Sequence, residues 1–250
     1  MKTSNKLLLG AFIVVLIAIT TFISMSKFFL MTKMSSSKKV TLVRNVATFH
    51  DVEVEGNIKI YIHQSQNYRV SVTAASDIVS QINTDVENGK LHVFSKNQFI
   101  NDTITVEIDL PNLNAVSTSA GSQVFIPESF KADTFTCVSS SGSYVKCSLN
   151  SKKLECNATS GAEIKLDGNI NYIVLKATSG AVIDADAIKG NYCSINGESG
   201  AQIYVYDITK LDVKINSGSK LTYSEHSIIG NMNVSNDAEF IKKNHCCPKK

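Results

Sequence analysis

The sequence predicts an all-β fold, a single-stranded right-handed parallel β-helix with coils of about 19 residues, preceded by one N-terminal transmembrane helix. Three observations predict it: a glycine-centred motif that returns at a nearly constant interval, apolar residues at every second position between the motifs, and a long uncharged stretch near the N-terminus. The chain of 250 residues is 43% hydrophobic, with 3 prolines, which suits a backbone committed to sheet ladders. Its formal net charge of +3 is spread along the chain and gives no reason to expect nucleic acid as a partner.

The first element is the uncharged stretch LLLGAFIVVLIAITTFISMS at residues 7–26. A helix of this length rises about 30 Å, which matches the hydrocarbon core of a bilayer. The bulky residues FFLM follow soon after it rather than a small-x-small cleavage site, which favours an uncleaved signal-anchor over a secretory signal peptide. We therefore expect a short basic N-terminus at residues 1–6 and a membrane-spanning helix at residues 7–31, with the lipid bilayer as its partner.

The charges that flank this span bear on its orientation. Lysines are more numerous after the span than before it, and a simple count of positive charges would keep the C-terminal side in the cytoplasm. The domain behind the span is long, however, and long domains cross membranes largely regardless of flanking charge. We therefore expect a single-pass membrane protein whose C-terminal domain lies outside the cytoplasm, joined to the span by a polar linker at residues 32–46.

Residues 48–112 alternate apolar and polar residues, as strands with one buried face do. Clear examples are VEVEGNIKIYIHQ at 52–64 and TITVEIDLP at 103–111, and Asn88-Gly89 is a hairpin turn signal. We expect opening coils and an end cap here, because a bare terminal coil would present an unpaired edge. The folded domain is thus predicted at residues 47–240, followed by a polar tail at residues 241–250.

The repeat that defines the coils is a small residue followed by glycine. Apolar residues stand three and five positions after each glycine and five and seven positions before it, with mostly polar residues between them. Because the same columns recur, we expect the strands to stack in parallel register, with coils about 4.8 Å apart. The repeated pairs are Ala120-Gly121, Ser141-Gly142, Ser160-Gly161, Ser179-Gly180, Ser199-Gly200 and Ser217-Gly218, with a decayed copy at Asn236-Asp237.

These pairs are predicted to be corner turns between two strands of one coil. Glycine reaches positive φ without a Cβ penalty, and stacked serines can hydrogen-bond to one another or to the turn backbone. The alternative is that a serine acts as a nucleophile, which needs a base within reach. No histidine falls in register with the serines, which favours the structural interpretation. The histidines are His50, His63, His92, His226 and His245.

Six cysteines complete the set of chemically distinctive residues. Cys137 and Cys156 occupy one inward column on successive coils, which would put their Cα atoms about 5 Å apart, within disulfide range. Two buried thiols are the favoured interpretation, because stacked side chains point in parallel, and a disulfide between them is the alternative. The chain has no C-x-x-C pair and no histidine at metal-site spacing from a cysteine, so we expect no metal and no other cofactor.

An ordered set of motifs resembles a known family. The motifs are FHDVEVEGNIKIYIHQSQNYRVSVTA, ENGKLHVF, ITVEIDLPNLNAVSTSAGSQV and the repeated SSGSYV, TSGAEI, TSGAVI, ESGAQI and NSGSKL. Together they cover residues 47–240 and resemble the bacterial head GIN domain family of auto-transporter adhesin heads. The resemblance implies an extracytoplasmic β-helical domain of the bacterial cell envelope, in the periplasm or at the cell surface. The family brings no established catalytic or binding residues, and this chain departs from it in its decayed last corner and in its membrane span, which replaces a lipoprotein cysteine.

Two functions of different class fit these features. The favoured one is a non-catalytic adhesion, binding or structural module that presents a long face to a carbohydrate or an envelope protein. The alternative is a glycan-active lyase or hydrolase, for which the nearest candidate carboxylates, Glu163, Asp184 and Asp186, lie in different columns beside lysines, as on a solvated face. A row of exposed tyrosines on one face would favour sugar binding, and the candidates are Tyr144, Tyr204 and Tyr206.

Overall fold

A computed structural model of the protein describes residues 19–20, 38–95 and 103–243. Ile19 and Thr20 are helical and fall within the predicted span, whereas the rest of residues 7–31, the basic N-terminus and the end of the tail lie outside the described residues. In the part of the chain that is described, no helix is long and apolar enough to cross a membrane. Residues from Lys39 onward belong to a compact unit of their own.

This unit is built from strands that join into one hydrogen-bonded sheet, which contains 16 strands among the described residues. The strands are β1 (Lys39–Arg44), β2 (Asp51–Glu55), β3 (Ile58–Gln64), β4 (Arg69–Ala75), β5 (Ile82–Glu87), β6 (Lys90–Ser95), β7 (Ile104–Leu110), β8 (Ala115–Ser119), β9 (Gln123–Ser139), β10 (Tyr144–Ala158), β11 (Glu163–Ala177), β12 (Val182–Gly197), β13 (Gln202–Ile215), β14 (Lys220–Ser224), β15 (Ile228–Val234) and β16 (Glu239–Lys243). A short 3₁₀ helix spans Val79–Gln81.

The long strands β9 to β13 pair in parallel, each with the next coil, and the chain forms a right-handed all-β solenoid of about seven turns. Equivalent residues face one another across each pair, as Val145 faces Ile164 and Leu154 faces Ile173. The structure confirms the predicted solenoid and the parallel stacking of like residues on like.

The core is a set of stacked aliphatic columns inside the coils. One column includes Val145 and Ile164 and continues through Ile183, Ile203 and Leu221, each at most 1% exposed. Burying one such side chain contributes about 1.5–3 kcal/mol to folding. Because every coil adds to the same columns, the core extends along the whole solenoid without a break.

The N-terminal part differs from the regular coils. Strand β4 runs antiparallel to both β1 and β7, and β5 forms an antiparallel hairpin with β6 through Asn88 and Gly89, which have φ angles of +51° and +75°. The structure differs from the predicted linker at residues 32–46, because residues 39–44 form strand β1. This strand pairs with the edge of β4, which would otherwise be left without a partner. Likewise, β16 runs to Lys243, into the predicted tail. The folded domain is therefore longer at both ends than the sequence predicts.

Candidate functional site

The small-Gly pairs lie at two-residue corners in which both residues have positive φ. Ser141 and Gly142 have φ angles of +53° and +67°, and the N–H of Ser143 donates to the carbonyl of Ser140 at 3.2 Å, as in a type I′ turn. The N–H of Gly142 donates to the carbonyl of Ser160 in the next coil at 3.1 Å. The backbone ladder thus continues around the corner, so backbone geometry accounts for the repeated motif.

The last corner, at Asn236-Asp237, still forms a turn, but its two residues do not have positive φ. The N–H of Ala238 donates to the carbonyl of Ser235 at 3.1 Å, while Asn236 and Asp237 are absent from the residues with positive φ in the described chain. The hydroxyl of Ser235 donates to the carboxylate of Asp237, which lowers the pKa of Asp237. Without glycine, this corner is stabilised by a side chain instead.

The hydroxyl groups beneath the corners bond to one another and to the backbone. The Ser143 Oγ lies 2.8 Å from the Ser139 Oγ and 3.0 Å from the Thr118 Oγ1, and all three residues are buried. The described histidines contact carboxylates instead, with His50 3.0 Å from Asp51 as an example. Among the residues that the structure describes, no histidine is hydrogen-bonded to Ser143, and the hydroxyl cluster holds the corner in place.

The four described cysteines are fully buried, free thiols. Cys137 lies opposite Cys156 in the sheet register. Burial raises the pKa of the Cys193 and Cys156 thiols, which keeps both in the neutral, unreactive form. Two buried thiols stay the favoured prediction, and a disulfide between Cys137 and Cys156 stays the alternative.

The candidate carboxylates do not form a general acid and base pair around a common cavity. Glu163 is ion-paired with Lys165 at 3.2 Å on the solvated face. Asp184 accepts a hydrogen bond from the backbone N–H of Asp186 at 3.2 Å, and burial, with the charge of Asp184, raises the pKa of Asp186. None of the three carboxylates lines the cleft described below.

The tyrosines form shorter groups than the sequence predicts. Tyr144 contacts Phe125 with ring centroids 5.7 Å apart, and Phe125 stacks on Tyr61 at 5.2 Å. Tyr204 and Tyr206 lie on β13, separated from Tyr144 by β11 and β12, so the three tyrosines do not make one row. Because all three rings are half-buried, the ladder from Tyr61 to Tyr144 stabilises the sheet more than it offers a platform to a sugar.

We call the middle of each long strand, where the sheet register shifts as it does between Cys147 and Leu149, the second bend. A cleft with a volume of about 550 Å³ lies there. We call it the amide cleft because five of its side chains are amides. Its lining residues are Gln64, Asn112, Lys131, Ala132, Asp133, Asn150, Ser151, Lys152, Asn169 and Asn171. Asn150 faces Lys131 on one side and Asn169 on the other in the sheet register, so these exposed side chains form one column across three coils.

Hydrogen bonds to the backbone fix the floor of the amide cleft. The Gln64 side chain donates to the carbonyls of Pro111 and Lys131 at 3.0 and 3.1 Å and accepts from the N–H of Lys131 at 2.9 Å. It thereby joins the N-terminal part of the domain to the first long coil. Ser151 is buried and donates to the carbonyl of Lys153 at 2.8 Å. The exposed amides thus project from a rigid frame.

Charge in the amide cleft is nearly balanced. The Lys152 ammonium lies 2.7 Å from the Asp133 carboxylate, and this hydrogen bond raises the pKa of Lys152. Among the residues that the structure describes, no group of His, Cys, Asp and Glu is arranged to hold a metal ion. The cleft is therefore suited to a polar ligand that needs both donors and acceptors rather than a strong charge.

An aromatic pair with one exposed ring, that of Tyr172, adjoins the amide cleft in sequence, since Tyr172 follows Asn171 on β11. Tyr172 is 49% exposed and stacks on Tyr192 with centroids 4.6 Å apart. The Tyr192 hydroxyl donates to Asp212 at 2.9 Å, and this bond raises the pKa of Tyr192 to about 12. The pair is thus held at a fixed orientation next to the cleft.

Sequence reasoning missed the amide cleft. Its one periodic signal is the polar column of Lys131, Asn150 and Asn169, which is weaker than the glycine signal because the residue type changes along the column. Asn112 and Gln64 carry no such signal, because they reach the cleft from a separate part of the chain. Only the packing of the N-terminal part against the coils brings these side chains together.

Comparison with known proteins identifies similar sequences and folds. The family described as "Putative auto-transporter adhesin, head GIN domain" matches residues 48–226. A crystal structure described as a putative adhesin from Bacteroides fragilis is 19% identical, with a TM-score of 0.75, and covers 84% of this chain and 98% of that one. A putative lipid binding protein from Parabacteroides distasonis is 16% identical, with a TM-score of 0.68 and coverage of 84% and 98%. A putative adhesin from Parabacteroides merdae is 18% identical, with a TM-score of 0.62 and coverage of 84% and 95%. No protein of curated function matches this sequence.

Proposed function

The chain belongs to the head GIN domain family, and we propose that it is a non-catalytic binding module that holds a carbohydrate in the amide cleft. The observation that carries this proposal is the set of exposed amides at Asn150, Asn169 and Asn171, which line one cleft from successive coils. The cleft volume of about 550 Å³ falls within the range of about 300–1,000 Å³ that is typical of small-ligand sites.

The chemistry of the amide cleft fits a sugar. An amide side chain both donates and accepts hydrogen bonds, as sugar hydroxyl and acetamido groups do. The exposed ring of Tyr172 offers an apolar surface beside these polar groups, which suits the mixed character of a pyranose ring. Asp133 already pairs with Lys152 and neutralises its charge, so the cleft does not require a strongly negative ligand.

We also propose that residues 7–31 anchor the protein in a bacterial membrane and that the domain lies outside the cytoplasm. The uncharged stretch supports the anchor, and the description of the family as auto-transporter adhesin heads supports the location. Protease added to intact spheroplasts should then digest the domain. A domain that resists digestion until the membrane is lysed would contradict this location.

Glycan-array binding by the full chain in detergent tests the proposed carbohydrate function. The double substitution Asn150→Ala with Asn169→Ala should weaken binding about 10- to 100-fold. Each lost hydrogen bond is worth about 0.5–1.5 kcal/mol and leaves the sugar group that it bound without a partner. Thermal stability should not change, because both side chains are exposed.

Asn157→Ala is the matched control. Asn157 is an exposed asparagine on β10, as Asn150 is, but it lies outside the amide cleft. Its substitution should leave glycan binding unchanged. An array on which no glycan binds, or equal loss of binding in the double variant and the control, would refute the proposed function.

A further inference from the structure

The amide cleft continues into a second pocket of about 540 Å³. The two pockets share Asn112 and residues 131–133. The second pocket, which we call the threonine pocket, adds Asp51, Asn114, Thr134 and Thr136. Its polar side chains are again uncharged for the most part, so both pockets offer the same kind of surface to a ligand.

The loop that borders both pockets is held firmly in place. The N–H of Asn114 donates to the carbonyl of His50 at 2.8 Å, and its carbonyl accepts from the N–H of Thr136 at 2.8 Å. Leu113 is only 1% exposed and anchors the loop in the core, while Asn112 and Asn114 on either side of it are exposed. The two amides therefore project from a fixed backbone, one at the junction of the pockets and one in the threonine pocket.

Charged residues lie where the two pockets meet. Lys131 and Asp133 line both pockets, and Asp133 is paired with Lys152, which lines the amide cleft. A ligand that passes from one pocket to the other crosses this ion pair, which offers it both a donor and an acceptor. The junction thus presents hydrogen-bonding groups, so a polar chain can run across it without losing contact.

We propose that the amide cleft and the threonine pocket form one groove for a linear oligosaccharide that occupies both. This inference rests on the proposed carbohydrate function and adds the shape of the ligand to it. An extended chain of sugars meets polar groups along the whole groove, from Asn171 through Asp133 to Thr136. A protein partner would instead need buried aromatic or arginine anchors at the centre of its contact, where this groove carries an amide and an ion pair.

Calorimetric titration of the full chain in detergent tests the inference, with two series of probes from the disaccharide to the octasaccharide. Chito-oligosaccharides carry acetamido groups, and cello-oligosaccharides of the same lengths lack them. In at least one series, affinity should rise tenfold or more from the disaccharide to the hexasaccharide and then level off. The double substitution Thr134→Ala with Thr136→Ala should remove most of that rise and leave disaccharide affinity within about twofold.

Thr105→Ala serves as the control, because Thr105 is a half-buried threonine on β7 outside both pockets. It should leave the rise with chain length intact. Equal affinity for the disaccharide and the hexasaccharide, or a rise that the threonine variant keeps, overturns the inference and leaves the proposed function standing. Failure of every member of both series to bind overturns the inference and contradicts the proposed function with it.

Discussion

Two places in each coil differ in how constant their residues are: the glycine corner, which we call the first bend, and the second bend in the middle of the long strand. At the first bend, glycine returns in every coil from Gly121 to Gly218, always with a positive φ. At the second bend, one exposed column changes from Lys131 to Asn150, Asn169 and then Lys189. The first bend repeats because positive φ restricts the residue type, whereas the exposed positions of the second bend lie on extended strands that accept any polar side chain.

This contrast separates the residues that maintain the fold from those that are available for recognition. The corner side chains of the first bend bond to their neighbours or face open solvent, and their backbone carries the ladder from coil to coil. The exposed side chains of the second bend are not needed by the ladder, so they are free to differ and to line the amide cleft. In this solenoid, the constant glycine column reflects what the backbone requires, whereas the variable exposed column is available to form a binding surface.

The largest expected effect comes from Gly168, which lies at the second bend on β11 and faces Leu149 and Ile188 in the register. Its φ is +119°, and a Cβ built there would lie 1.9 Å from the carbonyl oxygen of Leu149. Gly168→Ala should therefore lower the free energy of unfolding by about 3–4 kcal/mol, from the clash and the backbone strain together. Guanidinium unfolding of the isolated unit Lys39–Lys250, followed by circular dichroism, measures it.

Gly180→Ala at the first bend should have a smaller effect. Its φ is +71°, but a Cβ built there meets nothing within 4 Å. Only the backbone strain remains, so we expect a loss of about 1 kcal/mol in the same unfolding measurement. Equal losses for Gly168→Ala and Gly180→Ala would show that the close approach of Leu149 has no energetic weight, so that backbone strain alone would set the cost at both bends.

The sequence predicts the first bend well and the second poorly, for a physical reason. A residue pair such as Ser179-Gly180 indicates a positive-φ turn from its own residue types, and the alternation of apolar residues indicates the buried columns. The solenoid and its register can therefore be inferred from the residues alone. Alternation does not distinguish parallel from antiparallel pairing, so the sequence predicts a strand near β4 but not its antiparallel pairing with β1 and β7. The amide cleft also depends on Asn112 and Asn150 lining the same cleft, and no local pattern in the sequence encodes that arrangement.

The smallest expected effect concerns the first residue of a corner. Ser199 is exposed, with a φ of +53°, and its carbonyl accepts the N–H of Gly180 at 3.0 Å. Asparagine adopts positive φ more readily than serine and is favoured at this position of a type I′ turn, so Ser199→Asn should raise the free energy of unfolding by about 0.5 kcal/mol. A β-branched residue resists positive φ, so Ser199→Val should lower it by about 1–2 kcal/mol. Neither change touches the core. If the free energy of unfolding shifted in the same direction in both variants, something other than φ would select the corner residue. The constancy of the first bend would then need another cause.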